Sequence, residues 1–224
     1  MNMRPKVGFL TIGQSPRMDV VSDMAAILGP EIDILEKGAL DGLSQNEIGR
    51  LGPEKNDFPL ITRLRDGSAV VVGKKKIIPR LQSQISSLEK ERVQLTALLC
   101  TDDFSELRSQ KLLLRPYQIL FGAVTSILKK GTLAVLAPLA EQKAAVTKKW
   151  EKTGLEIIVE DLNPYQKPSV AERVIERIKN KNANLIILDC IGYSSRIKEK
   201  IGRQTRIPVL LPRSVLARMI KELV

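Results

Sequence analysis

Short apolar runs separated by polar turns recur along the chain, and this pattern predicts buried strands that alternate with amphipathic helices. The runs are continuously apolar rather than alternating, which is typical of parallel strands covered on both faces. The predicted strands are 6–11, 31–35, 95–99, 132–137, 155–160, 185–189 and 208–211. Strands that alternate with helices in this way indicate an α/β fold with mainly parallel sheets.

Capping residues mark where several helices begin. Ser15 is the predicted N-cap of the first helix, and Pro16 fits its first turn because a proline there loses no hydrogen bond. Ser44 and Glu47 have the spacing of a capping box. Apolar residues at helical spacing predict a long amphipathic helix over 74–92.

One part of the chain breaks the alternation of strands and helices. Two strand-like segments, 60–64 and 68–72, flank Arg65, Asp66 and Gly67. Asp-Gly between such segments is a strong hairpin signal, because Gly accepts the positive φ that tight hairpin turns require. We expect this hairpin to be an antiparallel extension at one edge of a sheet.

The predicted elements fall into two similar halves, each with an early strand that ends in a turn and a later strand that ends at a cysteine. This organisation predicts two similar Rossmann-like (flavodoxin-like) α/β domains, over 1–115 and 116–205. The terminal segment, about 206–224, is expected to return to the first domain.

The only two cysteines, Cys100 and Cys190, each follow the apolar run of a predicted strand. In open α/β sheets, ligands bind at the carboxyl ends of parallel strands, so two thiols at such ends could face one substrate from opposite sides. The alternative is that both are ordinary core residues, because cysteine is among the residue types most often buried. Position in the sequence leaves both interpretations open.

The chain contains no histidine, and this absence narrows the chemistry. It excludes Ser-His-Asp and Cys-His nucleophile activation and the His-based zinc sites. Acid–base catalysis would then depend on Cys, Asp, Glu, Lys, Tyr or a metal-bound water. No C-x-x-C pair and no phosphate-binding P-loop motif is present, so we expect neither a structural zinc site nor a nucleotide cofactor.

The net charge of +11, from 36 Lys and Arg against 25 Asp and Glu, raises the question of a nucleic-acid partner. The basic residues are dispersed, and one Trp, three Tyr and four Phe offer few platforms for base stacking, which disfavours nucleic-acid binding. No secretory signal is recognised, and no apolar run approaches the roughly 18 residues of a membrane span. We expect a soluble, cytoplasmic protein without a membrane partner, and a homodimer is left open.

Two opposed thiols can carry out a reaction that needs no cofactor. Removing a proton next to a carboxylate and returning one on the other face requires one base and one acid, and a thiol can be the base when it is held as thiolate. The expected partner is therefore a small-molecule carboxylate. The carbanion would need hydrogen-bond donors to the carboxylate, and Arg17 and the turns after the strands could supply them.

The candidate site follows from these arguments. Cys100 and Cys190 are the candidate catalytic residues. The candidate substrate-binding residues are Thr11, Gln14, Ser15, Arg17, Thr101, Asp102, Gly192, Tyr193 and Ser194.

Three segments carry a resemblance to a known family. Residues 8–17 (GFLTIGQSPR), 98–101 (LLCT) and 188–193 (LDCIGY) resemble the AroM family, whose name points to aromatic amino-acid synthesis. More distantly, the plan with two cysteines is similar to the aspartate/glutamate racemase superfamily. That resemblance implies two similar α/β domains, a site in the cleft between them, and two-base chemistry without a cofactor, with Cys100 matching the first-domain thiol and Cys190 the second.

The chain departs from that superfamily after the second cysteine. Members typically have Thr and then His there, whereas Ile191 and Gly192 follow Cys190 in this chain. The polar contacts would then pass to Tyr193 and Ser194. Two hypotheses remain: a racemase-like or isomerase-like enzyme acting on a small carboxylate, or a non-catalytic binding or regulatory protein for a carboxylate or phosphate of aromatic amino-acid metabolism.

Overall fold

A computed structural model describes residues 4–166 and 168–224, and it divides into two units. The first unit comprises the described residues up to Pro116 together with Leu216–Val224, and the second comprises Tyr117–Val215. Lys167, which belongs to the loop predicted before the sixth helix, lies outside the described residues. Among the described residues, no helix combines the length and the apolar character needed to cross a membrane.

The first unit contains a four-stranded parallel sheet with the strand order β2-β1-β5-β6. Its elements are β1 (Lys6–Thr11), α1 (Met18–Leu28), β2 (Asp33–Gly38), α2 (Gln45–Arg50), β3 (Pro59–Arg63), β4 (Ala69–Gly73), α3 (Lys74–Lys90), β5 (Leu95–Leu99) and β6 (Leu112–Leu114). In the register of the two central strands, Thr11 at the end of β1 pairs with Leu99 at the end of β5.

The second unit also contains a four-stranded parallel sheet, with the order β10-β9-β7-β8. Its elements are α4 (Pro116–Ile127), β7 (Thr132–Ala137), α5 (Lys143–Glu151), β8 (Glu156–Asp161), α6 (Pro168–Lys179), β9 (Leu185–Leu188), α7 (Ser195–Thr205), β10 (Val209–Leu210) and α8 (Pro212–Leu223). A 3-10 turn, Ala140–Gln142, leads into α5, and α8 continues into the residues of the first unit.

The two sheets have the same topology. When the four strands of each parallel sheet are numbered along the chain, both sheets have the order second, first, third, fourth. This is the beginning of the flavodoxin-like order, in which the direction of chain winding changes between the first and third strands. The predicted α/β class with two similar flavodoxin-like halves is therefore confirmed.

The burial of the strands explains why their sequences are continuously apolar. Every residue of β5, β7 and β9 is buried, as is all of β1 except Lys6, because helices cover both faces of the central strands. The edge strand β2 is only partly buried. Helix α3 turns one apolar stripe to this core, through Ile77, Leu81, Ile85 and Leu88.

The predicted start of α1 needs correction, since Pro16 lies before the helix rather than in its first turn, and the predicted capping box is confirmed. Ser15 is not the N-cap of α1, which begins at Met18 with Arg17 at the N-cap, because the backbone N–H and hydroxyl of Ser15 both donate to the Asp41 carboxylate (2.8 and 2.6 Å). The capping box of Ser44 and Glu47 is present as predicted.

The predicted hairpin around Gly67 is present, with β3 and β4 paired antiparallel. It does not extend the edge of the parallel sheet, however, since the two strands form a sheet of their own. The hairpin packs instead against the turn after β1, where the N–H of Gln14 donates to the carbonyl of Arg63 (3.2 Å).

Gly38 provides a test of how closely the turn after β1 approaches the end of β2. A Cβ at this position would clash with the carbonyl oxygen of Gly13 and would lie 2.8 Å from the backbone nitrogen of Ser15. We expect Gly38→Ala to lower the free energy of unfolding by about 1–3 kcal/mol, as other overpacking substitutions do. The matched control, Gly49→Ala in α2, meets no atom within 4 Å and should be neutral or stabilising by up to about 1 kcal/mol. Equal urea midpoints for the two variants would contradict this close approach.

Candidate functional site

Both cysteines lie at the carboxyl end of the third strand of their own four-stranded sheet. Cys100 directly follows β5, and Cys190 lies two residues beyond the end of β9. In each sheet this third strand is the neighbour of the first strand, at the point where the direction of winding changes. Each cysteine is 8% exposed, and neither forms a disulfide.

The turn after Cys190 folds back onto the thiol. The backbone N–H of Gly192 donates to Cys190 Sγ at 3.4 Å, and the N–H of Tyr193 donates to the Cys190 carbonyl at 3.4 Å. A hydrogen bond donated to sulfur favours the thiolate over the thiol. Gly192 thus directs its N–H to the thiol itself, whereas the sequence suggested it as a donor to the substrate carboxylate.

A buried arginine that the sequence did not single out supports the same turn. Arg213 lies in the first turn of α8 and is 1% exposed. Its Nε and Nη2 both donate to the carbonyl oxygen of Ile191, at 3.0 and 2.8 Å. The guanidinium therefore fixes the residue directly after Cys190, and it brings a permanent positive charge to this buried position.

Tyr193 is buried in the same turn, and its hydroxyl donates to the carbonyl of Leu162. Burial raises the pKa of Tyr193 well above its usual range, and electrostatic repulsion from Cys190, when ionised, and from Asp189 raises it further. The phenol consequently stays neutral, and its hydroxyl joins the turn after β9 to the turn after β8. Ser194, the next residue, caps α7 by accepting the N–H of Ile197 at 3.4 Å.

A buried ion pair lies immediately before Cys190, and sequence reasoning missed it. Lys149 Nζ is 2.5 Å from Asp189 Oδ2, and the indole N–H of Trp150 donates to the same oxygen at 2.9 Å. Lys149 also lies over the rings of Trp150 and Tyr117, with its Nζ 5.6 and 5.2 Å from their centroids. In the sequence, only the position of Asp189 at the end of an apolar run indicates such an ion pair, because a buried carboxylate requires a partner.

In the first unit, a lysine braces the turn after Cys100. Lys74, the first residue of α3, lies 2.8 Å from Asp102 Oδ2 and donates to the Asp103 carbonyl. Burial acts to lower the pKa of Lys74, but the carboxylates of Asp102, Glu106 and Asp103 outweigh it, so the pKa lies above its ordinary value. Asp102 is therefore held by a cation, and Thr101 beside it is buried.

The turn after β1 brings Thr11 and Arg17 together. Arg17 is 2% exposed, and its Nη1 donates to Thr11 Oγ1 at 3.1 Å and to Thr62 Oγ1 at 3.3 Å. Its Nε and Nη2 donate to the two carboxylate oxygens of Asp19, at 2.8 and 2.9 Å. The guanidinium of Arg17, which the sequence suggested as a donor to the substrate carboxylate, therefore binds the carboxylate of Asp19 instead.

Two acidic residues hold the rest of this turn. Asp41 accepts the N–H and the hydroxyl of Ser15, and Glu36 accepts the N–H of Arg17 at 2.7 Å. Burial raises the pKa of Glu36, although the hydrogen bond and the charge of Arg17 oppose the shift. Gln14 accepts the N–H of Arg65 at 3.0 Å, so it lies toward the hairpin.

The structure thus places the candidate residues in two groups, one in each unit. Thr11, Gln14, Ser15 and Arg17 share the turn after β1, next to the strand that leads to Cys100, Thr101 and Asp102. Cys190, Gly192, Tyr193 and Ser194 share the turn after β9. Within residues 4–166 and 168–224, no group of three or more Cys, Asp or Glu side chains is arranged to hold a metal ion.

A cavity of about 210 Å³ adjoins the second group. It lies beside the turns after β8 and β9, against α6 and α7. Its lining residues are Leu162, Asn163, Pro164, Gln166, Ala171, Tyr193, Ser194, Arg196, Ile197 and Lys200. The lining is mainly apolar, with two basic side chains, a composition suited to a ligand that has an apolar part and a negative charge.

Known proteins resemble this chain at the level of family and fold. The sequence model of a family described as AroM protein matches residues 7–224. No curated protein matches the sequence significantly.

Three solved structures illustrate the similarity of fold. Allantoin racemase from Klebsiella pneumoniae has a TM-score of 0.66 at 16% identity, with 98% of this chain and 87% of that chain covered. Glutamate racemase from Aquifex pyrophilus has a TM-score of 0.60 at 14% identity, with 98% and 84% covered. Maleate isomerase from Pseudomonas putida S16 has a TM-score of 0.62 at 12% identity, with 98% and 92% covered. At these identities the likeness shows a shared fold.

The buried phenol of Tyr193 predicts a specific dependence of stability on pH. Because its pKa in the folded protein lies well above its ordinary value of 10.0, the neutral phenol favours folding. This contribution is complete below about pH 10 and is lost as the pH rises from there through the folded-state pKa. We expect Tyr193→Phe to lower the free energy of unfolding by about 1 kcal/mol at neutral pH, because the hydrogen bond to Leu162 is lost. Above about pH 10, the free energy of unfolding should fall with pH less steeply in the variant than in the wild type. Urea titrations at several pH values measure this slope, and the difference should correspond to about one proton per molecule. Parallel pH profiles for both proteins would contradict the burial of a neutral phenol.

Proposed function

The chain belongs to the AroM family and has the fold of the aspartate/glutamate racemase-like superfamily, and we propose that it is a cofactor-independent racemase or isomerase of a small carboxylate. Cys100 and Cys190 are the proposed acid and base. One observation carries the proposal, namely that each cysteine follows the topologically equivalent strand of its own unit.

This equivalence supports the proposal because cysteines that only fill a core would not be expected at the same topological position in both units. Both thiols lie at the carboxyl ends of the strands, at the point where the direction of winding changes, which is where open α/β sheets bind ligands. Both are flanked by ion pairs, Lys74 with Asp102 and Lys149 with Asp189, that hold the turns in place. Such bracing suits groups that must keep a fixed position during a reaction.

The proposed substrate class follows from the superfamily. Glutamate and maleate, which appear in the names of two of the similar structures, are both small carboxylates. The high content of basic residues in this chain agrees with an anionic substrate. Arg196 and Lys200, at the cavity beside Tyr193, are the basic side chains in the second unit that could attract it.

The proposed reaction is a proton transfer at the carbon next to the carboxylate. One cysteine, as thiolate, removes the proton, and the electron pair is delocalised into the carboxylate. The other cysteine, as thiol, gives its proton to the opposite face of the same carbon. Backbone N–H groups of the buried turns, with that of Thr101 as the first candidate, would stabilise the developing charge.

Exchange of the carbon-bound proton with solvent tests the proposal. The protein is incubated in deuterated water with a panel of amino acids, hydroxy acids and unsaturated dicarboxylates, and deuterium incorporation is followed by NMR. We expect the wild type to catalyse exchange into at least one of them, and Cys100→Ala and Cys190→Ala to lose at least about 100-fold in rate. Ser126→Ala, a small exposed polar residue in α4 replaced in the same way, is the control and should keep the wild-type rate.

Circular dichroism and thermal melting of each variant separate loss of catalysis from loss of folding. Absence of exchange with the whole panel, or exchange that both cysteine variants retain, would contradict the proposed reaction. A melting temperature that rises with a carboxylate or a phosphate in the absence of exchange would instead identify a binding or regulatory protein.

A further inference from the structure

We propose that the cavity between α6 and α7 binds a monocarboxylate that carries an apolar group of about the size of a benzene ring. The apolar group occupies the cavity, and the carboxylate lies at Arg196. The identification of this ligand with the substrate rests on the proposed function. Binding itself is a property of the second unit and can be measured without a reaction.

The volume of the cavity sets the size of the apolar group. Protein interiors are close-packed, and voids larger than a water molecule are few, so a cavity of about 210 Å³ beside the end of a sheet is a distinct feature of this unit. In another protein, an apolar cavity of about 150 Å³ takes up benzene. The larger volume here accepts a ring of that size together with a short linker.

The inner walls of the cavity are apolar. Leu162, Ala171 and Tyr193 are 4%, 3% and 1% exposed, and Pro164 and Ile197 extend the same surface. The hydroxyl of Tyr193 donates to the carbonyl of Leu162, so the ring of this residue supplies apolar surface to the lining. A second carboxylate placed against these walls would lose its hydration without gaining a partner. The walls therefore favour a ligand with one charged end over a dicarboxylate.

The polar side chains of the lining offer hydrogen-bond donors to a ligand. Asn163 Oδ1 accepts the N–H of Tyr165 at 2.9 Å, and Ser194 Oγ accepts the N–H of Ile197 at 3.4 Å. These two contacts use an acceptor of each side chain, and the amide group of Asn163 and the hydroxyl proton of Ser194 can be donated to a ligand. None of the lining residues is acidic, so the site is suited to a ligand whose polar end accepts hydrogen bonds.

Arg196 supplies the positive charge for the carboxylate. Arg196 and Lys200 are four residues apart in α7 and therefore lie on the same face of the helix. Lys200 pairs with Glu172 of α6 at 2.8 Å, so we count this pair as neutral. Among the described residues, Arg196 forms no ion pair. One unbalanced positive charge suits a monoanion better than a phosphate that carries two negative charges.

The carboxylates at the nearby ends of β8 and β9 do not alter this balance. Asp161 pairs with Lys143 at 3.4 Å, and Asp189 pairs with Lys149 at 2.5 Å. Each of these pairs is counted as neutral by the same rule as that of Lys200. The charge at the cavity therefore remains that of Arg196.

The cavity wall is in contact with the turn that carries Cys190. A Cβ on Gly192 would lie 2.7 Å from the hydroxyl oxygen of Tyr165 and 3.1 Å from Pro164 Cγ, so the loop after β8 packs directly on Gly192. The N–H of Gly192 in turn donates to Cys190 Sγ. A ligand in the cavity consequently lies beside the turn in which the proposed proton transfer takes place. This proximity supports its identification with the substrate.

A series of ligands tests the proposed class by isothermal titration calorimetry with the whole protein. We expect 3-phenylpropionate to bind with a dissociation constant below about 1 mM. Butyrate, which lacks the ring, should bind at least about tenfold more weakly because the burial of apolar surface is lost. The neutral 3-phenylpropanamide should also bind about tenfold more weakly, because its contact with Arg196 is no longer charged. Glutarate and phenyl phosphate should both bind more weakly than 3-phenylpropionate.

Two substitutions test where the ligand lies. Ala171→Leu extends a side chain into the cavity and should weaken binding of 3-phenylpropionate at least about tenfold. Ala145→Leu, at an exposed position of α5 in the same unit, is the matched control and should leave binding unchanged. Arg196→Gln should weaken binding of 3-phenylpropionate about fivefold, since an exposed guanidinium is partly screened by water, and should leave binding of 3-phenylpropanamide in place. Arg203→Gln, which removes an 82%-exposed arginine of α7, is its control.

Circular dichroism establishes that each variant is folded, and the ligand series on the wild type needs no variant at all. Butyrate or glutarate that binds as tightly as 3-phenylpropionate would overturn the proposal, and so would a folded Ala171→Leu protein with the wild-type affinity. Tighter binding of phenyl phosphate would overturn the assignment to monocarboxylates.

Failure of this proposal and failure of the proposed function give different results. If 3-phenylpropionate binds as expected but no compound exchanges its carbon-bound proton, the racemase-like function is contradicted while the binding site stands. If exchange is found but 3-phenylpropionate does not bind, the racemase-like function stands and the proposed binding site is wrong.

Discussion

The pairing of β1 with β5 and of β7 with β9 is the interaction on which both candidate sites depend. Parallel strands that pair in register end at the same edge of their sheet, so the turns after the first and third strands of each parallel sheet become neighbours. These strands are buried, and so are both cysteines that follow them. The cysteines are consequently placed by backbone hydrogen bonds over the whole length of the strands rather than by local contacts.

Burial of charge shapes the two turns in different ways. Arg17 and Arg213 are among the largest fully buried side chains, and a guanidinium in such a place is costly unless its donors are satisfied. Arg17 binds the carboxylate of Asp19, so the first turn holds a neutral pair. Arg213 donates twice to the Ile191 carbonyl in the second turn. Two units with the same strand order therefore hold equivalent turns in place with different contacts.

Much of this fold could be predicted from the sequence because its signals are local. The apolar runs that become β5 and β9 are long enough to identify buried strands, and the cysteines are placed by being next to them. The N-cap of α1 was wrong because the competing partner of Ser15 is Asp41, which is distant in sequence and reaches it only in the folded protein. The hairpin was recognised from Asp-Gly, but its separation from the main sheet depends on packing against Gln14, which no local pattern reveals.

The residues that support the cysteines were missed for the same reason. Lys149 reaches Asp189 and Arg213 reaches Ile191 across long stretches of chain, and neither lysine nor arginine has a sequence pattern that marks it as buried. Among these contacts, the hydrogen bond from Trp150 to Asp189 has an optical consequence. Trp150 is the chain's only tryptophan, it is fully buried, and it is joined to the residue that precedes Cys190. The intrinsic fluorescence of the protein is therefore a single-site signal from the second unit, sensitive to any change of charge or packing at the carboxyl end of β9.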